Sequence, residues 1–183
     1  MHVKGMEIPG YDARALPAMA LGYAVGTRGA CHNRSGAYEV DFGGDGRDPV
    51  AGAIETEDRM AVMDSLIVCK FLRGCFRDFY AEAAEMLEAA AGRRVDLREA
   101  GARIVDLKKA YNEREGWTPE EDRLPSRLDS PEVRERVRAY YRARGWTDGG
   151  RLCEERRRDL GLASAYGSDF MRCTAAKASR GSA

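Results

Sequence analysis

Met60, Met63, Ile67 and Phe71 recur at helical spacing behind Thr56-Glu57-Asp58, which offers an N-cap and first-turn acids. The pattern predicts a helix over about 57–73. Val62, Leu66, Val68, Cys69 and Leu72 fill the other side of its wheel, so this helix reads as apolar nearly all round and central, with Gly74 as its stop. Phe76, Phe79, Tyr80, Ala83, Leu87 and Ala90 alternate with Glu82, Glu85 and Glu88 and predict an amphipathic helix ending near Gly92. Asp96 and Glu99 form a capping-box pattern ahead of Leu97, Ile104, Leu107 and Tyr111, which marks a helix over about 97–113 closed by Gly116. Thr118-Pro119 and Ser130-Pro131 each place a hydroxyl before a proline at the first helical position. The first of these helices is cut short by Leu124-Pro125; the second runs through Val133, Val137 and Tyr140-Tyr141 to Gly145. A last helix is predicted from Leu152 to Leu160.

Residues 1–55 are rich in glycine and show no sustained period, so they read as a loop-rich segment with short helical pieces that must pack against something large. Residues 163–183 are small and polar and read as a tail of low order beyond a domain at 1–162. The fold class is therefore mainly α, an irregular helical domain with a loop-rich amino-terminal segment and no sheet that the pattern supports.

Composition narrows the classes. Thirty basic and thirty acidic side chains cancel, which leaves no global field for nucleic acid or an anionic membrane. No apolar run approaches the roughly 18 residues of a spanning helix, and Met1-His2-Val3-Lys4-Gly5 carries no leader pattern, so the expectation is a cytoplasmic protein without membrane or nucleic-acid partners. Five cysteines without a C-x-x-C pair argue against a disulfide framework and against a self-contained zinc site.

Three residues are candidates for chemistry. Asp64 falls within the most apolar predicted helix, where an ionised carboxylate needs donors: it receives N–H groups of a buried heterocycle, or else pairs with a neighbouring arginine or is exposed on a narrow polar stripe. Cys69, five residues later on the same predicted helix, would point about 140° away; it is either a thiolate ligand to an iron–sulfur cluster or a small apolar side chain. His32, in Arg28-Gly29-Ala30-Cys31-His32-Asn33-Arg34, suits anion binding or proton transfer, or is a plain loop histidine. No phosphate-loop, nucleophile-elbow or H-E-x-x-H pattern occurs.

The block His2-Val3-Lys4-Gly5-Met6-Glu7-Ile8-Pro9-Gly10-Tyr11-Asp12-Ala13-Arg14, then Leu21-Gly22-Tyr23-Ala24 and Arg28-Gly29-Ala30-Cys31-His32, resembles the tungsten aldehyde:ferredoxin oxidoreductase family in its carboxy-terminal region. The resemblance continues in Asp64-Ser65-Leu66-Ile67-Val68-Cys69, Asn112-Glu113-Arg114-Glu115-Gly116-Trp117, Asp122-Arg123-Leu124-Pro125-Ser126-Arg127-Leu128 and Tyr140-Tyr141-Arg142-Ala143-Arg144-Gly145-Trp146, and it covers residues 1–162. It implies aldehyde oxidation to carboxylic acids at tungsten (or molybdenum) held by two pterins, with electrons passed through a [4Fe–4S] cluster to ferredoxin. It further implies that Asp64 bonds pterin nitrogens and Cys69 is a cluster ligand, both within the family's Asp-x-x-Gly-Leu-Cys motif, and that His32 lies beside the metal as a catalytic group. Ile67 and Val68 stand where that motif has Gly-Leu, and Ala13 replaces the proline of the usual Asp-Pro-Arg.

The family's C-x-x-C-x-x-x-C motif, source of the other three cluster cysteines, is absent. The resemblance therefore implies a split product, a truncated reading frame or a fragment that needs an amino-terminal half or partner subunit for activity. The alternative is a non-catalytic helical remnant or protein-interaction module.

Overall fold

The structure is a computed structural model that describes residues 1–44 and 46–162. The chain opens with a two-residue antiparallel hairpin, β1 (His2–Val3) and β2 (Met6–Glu7), in which His2 faces Glu7. The helices are α1 (Pro17–Val25), α2 (His32–Ser35), α3 (Tyr38–Gly43), α4 (Pro49–Ser65), α5 (Phe79–Ala91), α6 (Leu97–Arg114), α7 (Pro131–Arg144) and α8 (Glu154–Asp159), with 3-10 turns at Lys70–Leu72 and Pro119–Glu121. This is the mainly α fold that the pattern predicts. The predicted low-order tail at 163–183 lies outside the described residues.

The amino-terminal segment carries the short helical pieces expected of it, and it places them in the core. Every residue of α1 from Ala18 to Val25 is buried, and α1 packs against α2, α3, α4 and α7. The segment forms the centre of the domain itself. Its small residues make this feasible: a Cβ added to Gly22 would lie 2.1 Å from Ser35 Oγ, so α1 and α2 meet only through a glycine. No local side chain caps α1. Asp41 on α3 accepts from Ala18 N at 3.0 Å and Met19 N at 2.9 Å, satisfying two of the orphan donors from a distance in sequence.

α4 is the second axis. It begins at Pro49, with Asp48 accepting from Ala51 N at 2.8 Å, earlier than the predicted start. It packs against α6 so closely that a Cβ on Gly101 would lie 2.7 Å from the Asp58 carbonyl oxygen. A second apolar cluster joins Met60, Val62 and Met63 of α4 to Phe79, Tyr80 and Ala83 of α5 and to Leu97.

α4 also ends earlier than its apolar pattern predicts. The N–H of Val68 donates to Met63 O at 2.8 Å and that of Ile67 to Asp64 O at 3.2 Å, while Ile67 takes φ +59. This pairing is a Schellman stop, whose left-handed position is ordinarily glycine. Ile67 and Phe71 are consequently 93% and 89% exposed, and the helix is not apolar-packed all round. α5, α6 and α7 end as predicted, with Gly92, Gly116 and Gly145 in the left-handed region.

The face of α6 is also rotated from expectation. Leu107 and Tyr111 are exposed, whereas Val105, Asp106, Lys109 and Glu113 are buried. Polar partners permit this. Trp146 Nε1 donates to Asp106 at 2.8 Å, and Leu152 N donates to Glu113 at 2.7 Å. Asp122 gathers four elements: it accepts from Trp117 Nε1 at 2.9 Å and Tyr141 OH at 2.7 Å and pairs with Lys4 at 2.7 Å and Lys109 at 3.4 Å. Lys109 Nζ sits 2.9 Å from the Trp117 ring centroid, and desolvation pushes its pKa down to about 8. On α7, Arg144 pairs with Glu57 at 2.8 Å and Asp58 at 2.6 Å and ties that helix to α4.

Candidate functional site

The end of α4 and the short helix α2 come together in one charged face. Arg34 of α2 donates to one oxygen of Asp64, and Lys70 Nζ lies 2.8 Å from the other. The Asp64 side chain is 22% exposed, so the carboxylate is neither buried in the helix wall nor free in solvent. Of the ways its charge can be answered, the described residues supply the ion pair, and they supply it twice. Lys70 also donates to Met60 O at 2.9 Å, and desolvation, ahead of repulsion from Arg34, lowers its pKa to about 8.

Next to this pair, Glu39 of α3 receives Arg59 and Arg73; Arg73 Nε is 2.9 Å away in an ion pair without hydrogen-bond alignment. The face thus sets four cations (Arg34, Arg59, Lys70, Arg73) against two carboxylates. Such a surplus favours an anionic partner.

His32 opens α2, two residues before Arg34, and is half-buried against aromatic rings. Its ring is 5.4 Å from that of Tyr11 and 6.2 Å from that of Tyr38; Tyr11 and Tyr38 stack at 5.2 Å, and the Arg73 guanidinium lies 5.7 Å from the Tyr38 centroid. The cationic face and the histidine are therefore continuous through Tyr38 and Arg73.

Cys69 is not on the helix of Asp64. The Schellman stop at Leu66–Val68 intervenes, and Cys69 is an extended residue preceding the Lys70–Leu72 turn, with an exposed free thiol. The separation reckoned along one helix does not apply. Cys75 is also exposed and free, while Cys31 beside His32 is buried. No group of three or more His, Cys, Asp and Glu residues suited to hold a metal occurs among the described residues.

The sequence reading missed Arg34, Lys70, Glu39, Arg59 and Arg73. Only Arg34 had a local signal, as the basic residue closing the block that contains His32. The others come from α3, α4 and the following turn and meet only in three dimensions.

The fold and this face define a mainly α-helical domain with a cationic, partly apolar surface that carries a free thiol and a histidine. The chain belongs to the aldehyde ferredoxin oxidoreductase family: the description "Aldehyde ferredoxin oxidoreductase, domains 2 & 3" matches residues 1–162. It is 33% identical over 188 residues to the tungsten-containing aldehyde ferredoxin oxidoreductase of Pyrococcus horikoshii, covering 88% of this chain and 30% of that protein. The enzymes of the same name from Pyrococcus furiosus and Thermococcus kodakarensis are each 31% identical, over 91% and 89% of this chain. The chain spans about 30% of the length of the curated relatives it matches. No helix among the described residues is long and apolar enough to cross a membrane.

Proposed function

We propose that this chain provides the carboxy-terminal part of a tungsten-pterin, iron–sulfur oxidoreductase that converts aldehydes to carboxylic acids and passes the electrons to ferredoxin. The observation that carries this reading is the joining of Asp64, Arg34 and Lys70 beside the helix of His32, with the exposed Cys69 between Asp64 and Lys70 in the chain. An ionised carboxylate has about four lone-pair sites, so Asp64 has acceptor capacity for heterocyclic N–H donors beyond the bonds from Arg34 and Lys70. The surplus cations around it suit a cofactor that bears phosphates and thiolates. The donor set fits the pterin and only one corner of a cluster.

When bound, the tungsten-pterin supplies the two-electron oxidation of the aldehyde. In this reading Asp64 accepts from the pterin nitrogens and Arg34 holds that carboxylate in place. Cys69 contributes one thiolate to a [4Fe–4S] cluster whose other ligands come from further family sequence, in a partner subunit or another part of the polypeptide. His32, packed at a tilt against Tyr11 and Tyr38, moves a proton at its ring nitrogen or orients the aldehyde oxygen. Residues 1–162 act as one domain in this scheme, in the cytoplasm. The second reading, a protein-interaction module without redox chemistry, rests on the exposed Ile67 and Phe71, which present apolar surface on either side of Cys69.

Metal analysis and the visible spectrum of the chain purified anaerobically from its native host test the proposal. Tungsten with about four irons per complex, in the company of a polypeptide bearing the C-x-x-C-x-x-x-C segment, is the expected result. Loss of cluster absorbance in Cys69→Ser would accompany it. A metal-free chain that purifies without such a companion overturns the proposal in favour of the interaction module.

A further inference from the structure

A second site adjoins this face and is not used by the reading above. The outer surface of α6 and the loop after α1 enclose a groove of about 510 Å³, a size that accepts a small organic molecule. One wall is fixed by Asn112 Nδ2, which donates to Thr27 O at 2.5 Å and clamps the loop to the helix. The floor is apolar: Ile104, Leu107 and Tyr111 fall at i, i+3 and i+7 of α6 and share one face. Leu107 and Tyr111 are exposed there, contrary to the burial their spacing predicts.

All the charged groups lining the groove are cations, namely Arg28, Arg34 and Lys108. Arg34 is answered by Asp64. Arg28 and Lys108 form no ion pair or hydrogen bond among the described residues. Lys108 is half-buried, and desolvation lowers its pKa; the Glu57 carboxylate opposes this, while Arg34 and Lys70 act with it. A half-buried ammonium with no carboxylate in direct contact, next to an apolar floor, is stabilised by a ligand that brings an opposite charge into contact.

We propose that this groove binds a small organic anion, a carboxylate or phosphate attached to an aromatic or branched apolar body. The anion lies between Lys108 and Arg28, and the body covers Leu107 and Tyr111. Two unpaired cations above a short apolar floor match one anionic end and one body, whereas a polyanion would need a longer run of cations. Through Arg34 the groove adjoins Asp64, so occupancy of one site is felt at the other.

The test uses the purified full chain without metal. Amide-resolved NMR titrations with phenylacetate, phenyl phosphate and the neutral phenylacetamide are expected to give saturable shifts confined to residues 27–28, 34, 64 and 104–112. At least one anion should bind about tenfold more tightly than the amide, and the tighter of the two names the anionic group. Lys108→Gln should weaken the anions about tenfold and leave phenylacetamide unchanged, while Tyr111→Ala should weaken all three. Arg28→Gln, in the exposed loop, repeats the charge test should Lys108→Gln disturb the fold. Equal binding of anion and amide overturns the proposal, as do shifts scattered elsewhere, no saturation by about 10 mM, or affinity indifferent to both charge variants. Because the titration needs neither tungsten nor cluster, its failure leaves the oxidoreductase reading intact, and a metal-free native chain leaves the groove intact.

Discussion

Replacing Ile67 by glycine isolates the strain at the end of α4. Ile67 holds φ +59 at the left-handed position of a Schellman stop, and its side chain is 93% exposed. The left-handed conformation costs an L-residue about 1–2 kcal/mol, and branching at Cβ puts isoleucine at the upper end. Glycine removes that cost but surrenders about 0.5–1 kcal/mol more backbone entropy on folding. With so little side-chain area buried, the lost packing is small, and the net gain is about 0.5–1 kcal/mol. For a chain of this size that raises Tm by about 1–4 °C. Differential scanning fluorimetry, with chemical denaturation as a second reading, measures it. Ile67→Ala serves as the control, since it keeps Cβ and hence most of the strain, and should move Tm far less. A glycine variant whose Tm equals or falls below that of the parent would refute the reasoning. The same substitution places glycine where the resemblance implies it, at the left-handed position that stops the helix before Cys69.

Three other perturbations follow from the packing. Asp122→Ala strands the Trp117 and Tyr141 donors and two buried ammonium groups, and should cost about 3–5 kcal/mol in urea unfolding. Gly101→Ala drives a methyl against the Asp58 carbonyl at 2.7 Å; overpacking outweighs the better helix propensity of alanine, for a net loss of about 1–2 kcal/mol and no change in the α content seen by circular dichroism. Asp58 has its folded pKa raised to about 6, chiefly by desolvation and against the attraction of Arg144, so the folded state binds more protons than the unfolded one between about pH 4 and 6. Its contribution is therefore most favourable below pH 4 and is lost as pH rises through 6. The stability of the parent relative to Asp58→Asn should fall by roughly 3 kcal/mol across that window, and a flat difference would show that Arg144 fully compensates the burial.

The chain's own punctuation shows what was legible in one dimension. Asp96, Ser130 and the left-handed glycines at 92, 116 and 145 act through neighbours within one turn, and each marks a helix end in the structure as in the sequence. The stop of α4 was illegible for the converse reason: Ile67 gives no glycine signal, and the apolar period runs on through Phe71 although the backbone has turned. The family was readable because the blocks that carry the resemblance are each short and contiguous in sequence. Their surroundings were not. That α1 is central, that α6 turns Asp106, Lys109 and Glu113 inward and Leu107 outward, and that Arg34, Glu39 and Arg73 join one cationic face depends on partners at least 13 residues away, such as Asp122 for Lys109 and Trp146 for Asp106, and Lys70 reaches Asp64 only because the chain turns between them. Local spacing sets which residues share a helical face. Only tertiary packing decides which face is inside, because the cost of burying a polar group is set by the partner it meets there.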